Sequence, residues 1–533
     1  MSARPEPLEP INGFQGPPGP WRVQGRALAL YNRLAALQGW RACAAAAFLG
    51  VLAAGALPPW HALPLLLLAV PGLLALIGGQ RRVRGAALVG FCFGFGHHVV
   101  GLYWITEAIL FEAARFWWLV PLAVPALAAV LAAFIALACA VARLAAPGWR
   151  RAVALAGAWV LADLARQFVG TGFPWNPWGS MWGAPGWFGD VFLQPAAWVG
   201  VPGLTLATVL LAATPALGQR AMSCGAIALL AWGGAGLARL SLPAPPAPGV
   251  SVALVQGNVP QGQKWNFDLA VADFRHYLEL TQSAVRQAGA EAPQRQMVVI
   301  WPETASQFLL ETDANARAAI ADAADAPALV GSIRFDRARR PRNSLMAVTS
   351  AAPPVAIYDK WHLVPFGEYQ PDWLPLPIQV VPGHGFASGP GARTLHVPPL
   401  PPVGPLICYE AIFPGQVVDA ADRPAWLVNV TNDAWFGNST GPRQHLVAAR
   451  LRAVEEGLPL MRAANTGISA GFDGFGHELG RIGMNVAGTL VLALPGALPP
   501  PPFARLGLLL PGSLALVLLA LGVALPRRHN RNG

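Results

Sequence analysis

The stretch Gly404-Pro405-Leu406-Ile407-Cys408-Tyr409-Glu410 says more about this fold than any other part of the chain. Its apolar residues predict a buried strand, which ends in a thiol followed two residues later by a carboxylate. This pattern is typical of a fold that presents a nucleophile at the end of a strand. Two upstream segments carry related chemistry: Trp301-Pro302-Glu303, and Tyr358–Glu368, which contains Lys360. Glutamate, lysine and cysteine in this order indicate a thiol acyl-transfer enzyme.

The composition indicates an integral membrane protein. Of the 533 residues, 54% are hydrophobic and only 12% are charged. Soluble domains carry roughly 25% charged residues, so this chain lies well below them. Its length leaves room for a helical bundle together with one sizeable soluble domain.

Long apolar runs predict eight membrane-spanning helices, because several of them approach or exceed the roughly 20 residues that cross a bilayer. The first two runs are short and are bordered by prolines, which makes their ends hard to place. The predicted spans are Ala42–Leu57, Ala62–Ile77, Gly85–Ile105, Phe116–Leu144, Ala152–Phe168, Phe192–Leu217, Ala221–Leu240 and Leu506–Leu525.

Arginines in alternate loops predict the orientation of these spans. By the positive-inside rule, both termini then lie in the cytoplasm and the segment after Leu240 lies on the far side of the membrane. The arginines used for this assignment are Arg22, Arg26, Arg33, Arg41, Arg81, Arg82, Arg84, Arg150, Arg151, Arg220, Arg527, Arg528 and Arg531.

A net charge of +10 is compatible with nucleic-acid binding in general. Here, however, the arginines concentrate in short loops beside the predicted spans. Anionic lipid headgroups are therefore the expected counterions, and we expect no nucleic-acid partner.

Two proline-rich linkers, Pro243–Gly249 and Pro495–Pro502, delimit a segment in which apolar strands alternate with helices. This alternation predicts an α/β domain whose sheets are covered on both faces. The predicted strands are Val250–Val255, Met297–Trp301, Ala328–Ile333, Leu406–Cys408 and Trp426–Val430, and the predicted helices are Ala270–Ala288, Ala314–Ala324 and Gln444–Glu456.

The predicted organisation of the chain thus has five parts. Residues 1–41 form a cytoplasmic tail, 42–242 a bundle of seven transmembrane helices, and 250–494 a periplasmic catalytic domain. Residues 506–525 form a C-terminal transmembrane helix, and 526–533 a second cytoplasmic tail.

Cysteine usage follows this division, because Cys408 is the only cysteine outside the predicted spans. A free cysteine is often just a small buried core residue, and its neighbours are what favour a nucleophile here. No CxxC or HExxH pattern occurs, and the adjacent pair His97-His98 lies within a span. We therefore expect no metal and no cofactor.

His362 offers an alternative partner for the thiol. It lies two residues after Lys360, and along a strand that spacing places both side chains on one face. Spacing therefore leaves a Cys–His dyad open. A structural histidine is the alternative interpretation.

Longer motifs carry a resemblance to a known family. Glu303, Lys360 and Cys408, in their surrounding phrases, resemble the triad of the nitrilase, or carbon–nitrogen hydrolase, superfamily. Together with the membrane helices, the chain from Ala42 to Leu525 resembles the apolipoprotein N-acyltransferases of Gram-negative bacteria. The matching phrases are His362–Tyr369, Thr431–Gly437, Gln256–Asn258, Gly172–Asn176 and Arg462–Gly467.

The resemblance implies a nitrilase-like αββα sandwich and a role for each site residue. Glu303 would act as the base for Cys408, and Lys360 would stabilise the oxyanion with the backbone N–H that follows Cys408. Glu368 would orient the lysine or the incoming amine. Supporting or substrate-binding positions would be Tyr409, Glu410, Trp265 and Trp435, the two tryptophans suiting a mouth that faces the bilayer.

The resemblance also implies the reaction. Cys408 would take an acyl chain from a glycerophospholipid as a thioester, and the α-amino group of a diacylated apolipoprotein would then accept it. A multi-pass protein of the bacterial inner membrane, acting as a monomer with its catalytic domain in the periplasm, is expected.

Two other functions remain as alternatives at this stage. One is a membrane-tethered nitrilase-type amidase that uses water as the acceptor. The other is a transporter or ligand-binding membrane protein without catalysis. The presence of Glu303, Lys360 and Cys408 and the scarcity of charges within the spans argue against the second.

Overall fold

The computed structural model describes residues 29–111, 113–262, 267–292, 294–372 and 385–523. Long helices fill the first part of the chain, where apolar residues without strand-like alternation favour helices. They are α1 (Gly39–Ala54), α2 (Leu66–Gly79), α3 (Val83–Gly101), α4 (Val120–Leu144), α5 (Trp149–Phe168), α6 (Ala196–Leu217) and α7 (Gln219–Leu240).

The structure confirms a helix at each predicted span, but only part of the predicted membrane bundle. Among the described residues, four helical segments are long and apolar enough to cross a membrane: Val83–Gly101, Ala113–Leu144, Ala196–Leu217 and Gln219–Leu240. Shorter apolar helices cover Gly39–Ala54, Leu63–Gly79 and Leu509–Val523. Helix α5 carries four charged residues, which are Arg150, Arg151, Asp163 and Arg166.

Glycines allow the first helices to pack with their backbones in contact. A Cβ on Gly50 would lie 2.0 Å from the carbonyl oxygen of Phe93, and one on Gly96 would lie 2.2 Å from that of Ala47. Helices α1 and α3 therefore approach each other as small-residue interfaces in membranes do. In α5, Arg166 and Asp163 form an ion pair at 3.3 Å, so this buried charge is compensated within its own helix.

The second part of the chain forms the predicted α/β domain. Its sheet strands are β1 (Val250–Gln256), β2 (Gln296–Ile300), β3 (Ala328–Phe335), β4 (Pro341–Val348), β5 (Ala356–Asp359), β6 (Val403–Ile407), β7 (Trp426–Thr431), β8 (Leu460–Ala464), β9 (Ser469–Phe472), β10 (Glu478–Ile482) and β11 (Gly488–Ala493). Its long helices are α8 (Phe267–Glu291), α9 (Ala314–Ala324) and α10 (Gly441–Glu456). Helix α11 (Leu509–Val523) follows the domain.

Two sheets stack face to face and carry helices on their outer faces. One has the order β11-β1-β2-β3-β4-β5 and the other β10-β9-β8-β7-β6. Residues such as Leu254 and Val428 share the core between the sheets. Tyr277 and Ile320 of α8 and α9 pack on the first sheet, and Ala449 of α10 packs on the second. The architecture is the expected αββα sandwich.

Parallel pairing brings the candidate residues to one end of the sandwich. Strands β1, β2 and β3 run parallel, and so do β6, β7 and β8. In parallel sheets the carboxyl ends of neighbouring strands meet at one edge, where sites of α/β folds occur. Glu303 follows β2, and Cys408 directly follows β6.

The sequence predicted the parallel strands β1, β2, β3, β6 and β7 but missed the parallel strand β8 and the antiparallel strands. Each predicted strand and helix coincides with an observed one to within a few residues at its ends. Strands β4, β5 and β8 to β11 were not predicted, because they are short or rich in glycine and polar residues and form through pairing with a neighbour.

Helix α10 joins the catalytic domain to the apolar helices. The main chain of α6 breaks at Gly200, where φ is +63°. The N–H of Val201, freed by this break, donates to a carboxylate oxygen of Glu455 in α10 at 2.7 Å. Near the other end of α10, Gln444 Oε1 accepts a hydrogen bond from Trp175 Nε1 at 2.8 Å. The two parts of the chain are therefore connected directly behind the candidate site.

Candidate active site

Cys408 lies in a sharp turn at the end of β6. It is the first residue of the 3₁₀ turn Cys408–Ile412, and its φ of +52° is in the left-handed region. Such a conformation costs a non-glycine residue about 1–3 kcal/mol and persists only where surrounding contacts impose it. The thiol residue is 7% exposed. The turn thus holds the thiol at the carboxyl end of the sheet, as the sequence predicted.

Glu303 follows β2, and donors from three other described residues hold its carboxylate. Its Oε1 accepts hydrogen bonds from Asn343 Nδ2 at 2.7 Å and from Lys360 Nζ at 3.2 Å. Its Oε2 accepts one from the backbone N–H of Asn432 at 2.9 Å. The carboxylate is therefore fixed in orientation beside the thiol, on whose pKa its charge acts.

Lys360 is buried between two carboxylates. Its Nζ lies 3.2 Å from Glu303 Oε1 and 2.9 Å from a carboxylate oxygen of Glu368. Burial alone would lower the pKa of this lysine, but the charges of Glu303 and Glu368 raise it well above its usual value. Lys360 is therefore a permanent cation within the cluster.

The thiol of Cys408 is protonated at rest. Burial raises its pKa, and the negative charge of Glu303 raises it further. Lys360 and a hydrogen bond with Thr431 oppose this effect without reversing it. Because the thiolate is the reactive form, Cys408 needs a base at the moment of attack. Glu303 remains the predicted base.

Asn343 is a site residue that sequence reasoning missed. It lies on β4, and its Nδ2 donates to Glu303 at 2.7 Å and to Glu368 at 3.1 Å. Its Oδ1 has no hydrogen-bond partner among the described residues. Polar Asn343-Ser344 directly before the apolar run Leu345–Val348 was the available signal, but β4 itself was not predicted.

Glu410 connects the nucleophile turn to the segment that carries Lys360. Its Oε2 accepts the N–H of Ile407 at 2.6 Å. Its Oε1 accepts the hydroxyl of Tyr358 at 3.0 Å and the N–H of Trp361 at 2.7 Å. Burial raises the pKa of Glu410 to about 7, against the opposing effect of these donors. Its position fits a structural link between the two segments.

Tyr409 contacts the segment that follows helix α5. Its hydroxyl donates to the carbonyl oxygen of Gly172 at 2.8 Å. Its ring stacks against Phe173 with centroids 6.3 Å apart. The Gly172–Asn176 phrase singled out in the sequence therefore lies directly behind the nucleophile turn.

Of the two tryptophans predicted as substrate-binding positions, the structure describes Trp435. Trp435 is half-buried and packs edge to face on Phe111, with ring centroids 5.4 Å apart. The neighbouring Phe436 packs on Trp104 at 4.6 Å. Catalytic-domain aromatics thus meet the segment between α3 and α4. Trp265 lies outside the described residues.

His362 has structural partners rather than the thiol. Its Nε2 lies 3.0 Å from Gln416 Oε1, and its ring stacks on Phe413 at 3.8 Å. Burial lowers the pKa of His362 to about 4. These contacts favour the structural interpretation over the dyad.

A second buried polar cluster lies behind Cys408 and was not foreseen. His445 of α10 reaches the carbonyl oxygen of Cys408 with Nε2 and Asp433 with Nδ1. Arg462 Nη2 lies 2.6 Å from Asp433 Oδ2. Burial raises the pKa of Asp433, but the charges of Arg462 and His445 outweigh it and hold that pKa well below its usual range. Burial and the charge of Arg462 lower the pKa of His445.

Comparisons with known proteins place the chain in a family. Residues 49–214 match the family model for the apolipoprotein N-acyltransferase N-terminal domain, and residues 251–483 match that for carbon–nitrogen hydrolases. An apolipoprotein N-acyltransferase of Rhodopseudomonas palustris is 37% identical over 92% of this chain and 96% of the relative. One of Bradyrhizobium diazoefficiens is 38% identical over 92% of this chain and 95% of the relative.

Among solved structures, a mutant of an amidase of Nesterenkonia AN1 from the nitrilase superfamily is 18% identical, with a TM-score of 0.35. That similarity covers 47% of this chain and 93% of the amidase. The two full-length relatives and the two matched domains give the assignment. The chain belongs to the apolipoprotein N-acyltransferase family.

Proposed function

We propose that this protein transfers an acyl chain from a glycerophospholipid to the N-terminal α-amino group of diacylglyceryl-cysteine in apolipoproteins. The observation that carries the proposal is the buried cluster of Glu303, Lys360 and Glu368 beside Cys408, in a chain of this family with membrane-type helices. Apolar helices suit an enzyme whose acyl donor is a lipid, whereas a soluble amidase has no use for them.

In the first half-reaction, Glu303 takes the proton of Cys408 while the sulfur attacks the ester carbonyl carbon, so a C–S bond forms. Lys360 and the N–H of Tyr409 stabilise the resulting tetrahedral oxyanion. Collapse of this intermediate breaks the C–O bond to the glycerol. Glu303 returns its proton to the glycerol oxygen, and lysophospholipid leaves.

In the second half-reaction, the free α-amino group attacks the thioester carbonyl. A C–N bond forms and Glu303 takes a proton from the amine. The C–S bond then breaks, and Glu303 passes this proton to the sulfur, which regenerates the thiol. Glu368, which holds Lys360 at 2.9 Å, keeps the oxyanion donor in place through both steps. Two substrates that use one site in turn imply ping-pong kinetics.

The expected topology fits this chemistry. Eight spans would place residues 250–494 in the periplasm, with residues 1–41 and 526–533 in the cytoplasm, 42–242 as the seven-helix bundle and 506–525 as the last span. We propose that the protein acts in the inner membrane, as a monomer. The alternation of arginine-rich loops supports this orientation.

One experiment tests the proposal directly. Purified protein is incubated with phospholipid and a diacylated lipopeptide, and mass spectrometry follows an acyl group on Cys408 and then on the peptide amine. Cys408→Ala is the matched control and should give neither product, while Cys408→Ser should leave at most a slow acyl ester. Turnover of small amides without lipid-dependent thioester formation would support the amidase instead, and full acylation by Cys408→Ala would exclude the covalent mechanism.

A further inference from the structure

His445 makes a direct contact with the backbone of the nucleophile. Its Nε2 lies 3.0 Å from the carbonyl oxygen of Cys408, across 37 positions of sequence. A carbonyl oxygen can only accept a hydrogen bond, so Nε2 carries the hydrogen in this contact. The ring is completely buried, and no step of the proposed mechanism uses it.

The carbonyl oxygen of Cys408 and the N–H of Tyr409 belong to the same peptide group. Tyr409 is the second residue of a 3₁₀ turn, so its N–H has no carbonyl partner within that turn. A donor on the carbonyl oxygen polarises the whole amide and makes its N–H a stronger donor, because hydrogen bonds in a chain reinforce each other. The contact of His445 therefore acts on the backbone donor of the oxyanion site.

Buried partners fix the orientation of the His445 ring. Asp433 Oδ1, which accepts the Thr431 hydroxyl at 3.0 Å, lies 2.9 Å from Nδ1. Arg462 Nη2 lies 3.2 Å from the same nitrogen and is its donor when the ring is neutral with its hydrogen on Nε2. Asp433 Oδ2 is held by Arg462 at 2.6 Å. The ring of Trp175, anchored by the neighbouring Gln444, lies 5.6 Å from that of His445 between centroids. The imidazole therefore has little freedom to turn away from Cys408.

Packing alone would not require this arrangement. An apolar side chain of similar volume would fill the position, whereas His445, Asp433 and Arg462 bring three polar groups into a fully buried site. Buried polar networks impose a definite geometry when all their members are satisfied. Here the network ends on the peptide group that follows the left-handed nucleophile, whose N–H has no carbonyl partner within its own turn.

We propose that His445 is a positioning residue for acyl transfer. Its Nε2–H holds the carbonyl oxygen of Cys408 and thereby directs and polarises the Tyr409 N–H towards the tetrahedral oxyanion. This inference deepens the proposed function and rests on it only for the identity of the acyl donor.

The test uses purified full-length protein and the variants His445→Leu and His445→Gln. Leucine fills the space without a donor, and glutamine keeps one N–H that can reach the carbonyl. Two rates are measured: Cys408 thioester formation, with phospholipid and with a p-nitrophenyl acyl ester, and Cys408 alkylation by iodoacetamide. Only acylation passes through an oxyanion, because alkylation displaces iodide directly. His396→Leu is the control, since exposed His396 also pairs with an aspartate, Asp422, at 2.7 Å.

We expect His445→Leu to slow acylation by both esters at least ~10-fold, given that removal of a whole oxyanion donor costs about 10²–10³-fold. Alkylation should change less than ~3-fold, and His445→Gln should recover part of the acylation rate. Unchanged acylation in folded His445→Leu would overturn the inference. So would an equal loss of acylation and alkylation in His445→Gln, which remains informative if the leucine variant does not fold.

The p-nitrophenyl ester separates this inference from the proposed function. If the unmodified protein reacts with that ester but never with phospholipid, the proposed acyl donor is wrong. The effect of His445 on acylation by the activated ester is still measured, and it decides the role of this histidine by itself.

Discussion

Glu410 Oε1 accepts the backbone N–H of Trp361 at 2.7 Å, which joins the nucleophile turn to the segment that carries Lys360. The other carboxylate oxygen accepts the N–H of Ile407, the residue before Cys408. One side chain therefore sets the distance between the thiol and the cation. These hydrogen bonds join Glu410 to the backbone on either side of the site and not to the thiol. We therefore expect Glu410 to affect the reaction by positioning the two segments.

Glu410→Gln should disrupt this link. The new amide NH₂ group faces backbone donors, and each buried donor left unpaired costs about 1–3 kcal/mol. We expect a lower Tm and a loss of about 10²-fold in thioester formation, measured by mass spectrometry of the intact protein. Glu311→Gln, at a half-exposed ion pair with Arg334, is the control. Normal thioester formation by Glu410→Gln would contradict the positioning role.

Glu303→Gln and Lys360→Met should both block the reaction before the thioester. Glutamine keeps the shape of Glu303 but cannot take the proton, and methionine removes the charge that faces the oxyanion. Neither variant should accumulate acyl-enzyme in a single-turnover experiment, whereas the exposed control Arg340→Met should do so normally. Trapping of normal amounts of thioester in either variant would reject the assigned roles.

The pH dependence separates His362 from a catalytic base. Because burial lowers its pKa to about 4, His362 is already neutral at pH 5 and does not change its charge up to pH 8. His362→Gln should therefore leave the shape of the pH profile of thioester formation between pH 5 and 8 unchanged, even if its height falls. If the decline of the rate at acidic pH disappeared in this variant, the result would support the Cys–His dyad.

Trp435→Ala should weaken the use of long-chain phospholipid more than the reaction of Cys408 with a small water-soluble thiol reagent. The edge-to-face contact with Phe111 is worth about 0.5–1.5 kcal/mol, and we expect an acyl chain to approach past these rings. Both rates and the Tm are measured, with exposed Phe335→Ala as the control. If Trp435 is only a core residue, its truncation costs about 3–5 kcal/mol and both activities fall together with stability.

The orientation prediction uses introduced cysteines in a cysteine-depleted background. Ala247→Cys, in the exposed Pro243–Gly249 linker, should react with a membrane-impermeant thiol reagent added from the periplasmic side. Asn530→Cys, beyond Arg528, should not react with the same reagent until the membrane is permeabilised. The reverse labelling pattern would overturn both the span count and the periplasmic site.

The sequence by itself determined the parts of this protein that depend on local patterns. Apolar runs without strand-like alternation gave the helices, and short apolar strands alternating with helices gave the α/β domain. Cys408 at the end of such a strand, with Glu303 and Lys360 upstream, was sufficient to predict the reacting groups. These features can be predicted from the sequence because hydrophobic periodicity and residue chemistry are properties of neighbouring positions.

The contacts of Glu303 and Cys408 with residues far away in sequence became visible only in the tertiary structure. Asn343 reaches Glu303 and Glu368 because β4 pairs beside β3, and His445 reaches Cys408 because α10 packs on the second sheet. Tyr409 donates its hydroxyl hydrogen to Gly172, which follows helix α5. Such contacts depend on strand order and on packing between layers, and both bring together residues far apart in the chain. No local pattern encodes a contact of this kind, and so the sequence alone left these residues unassigned.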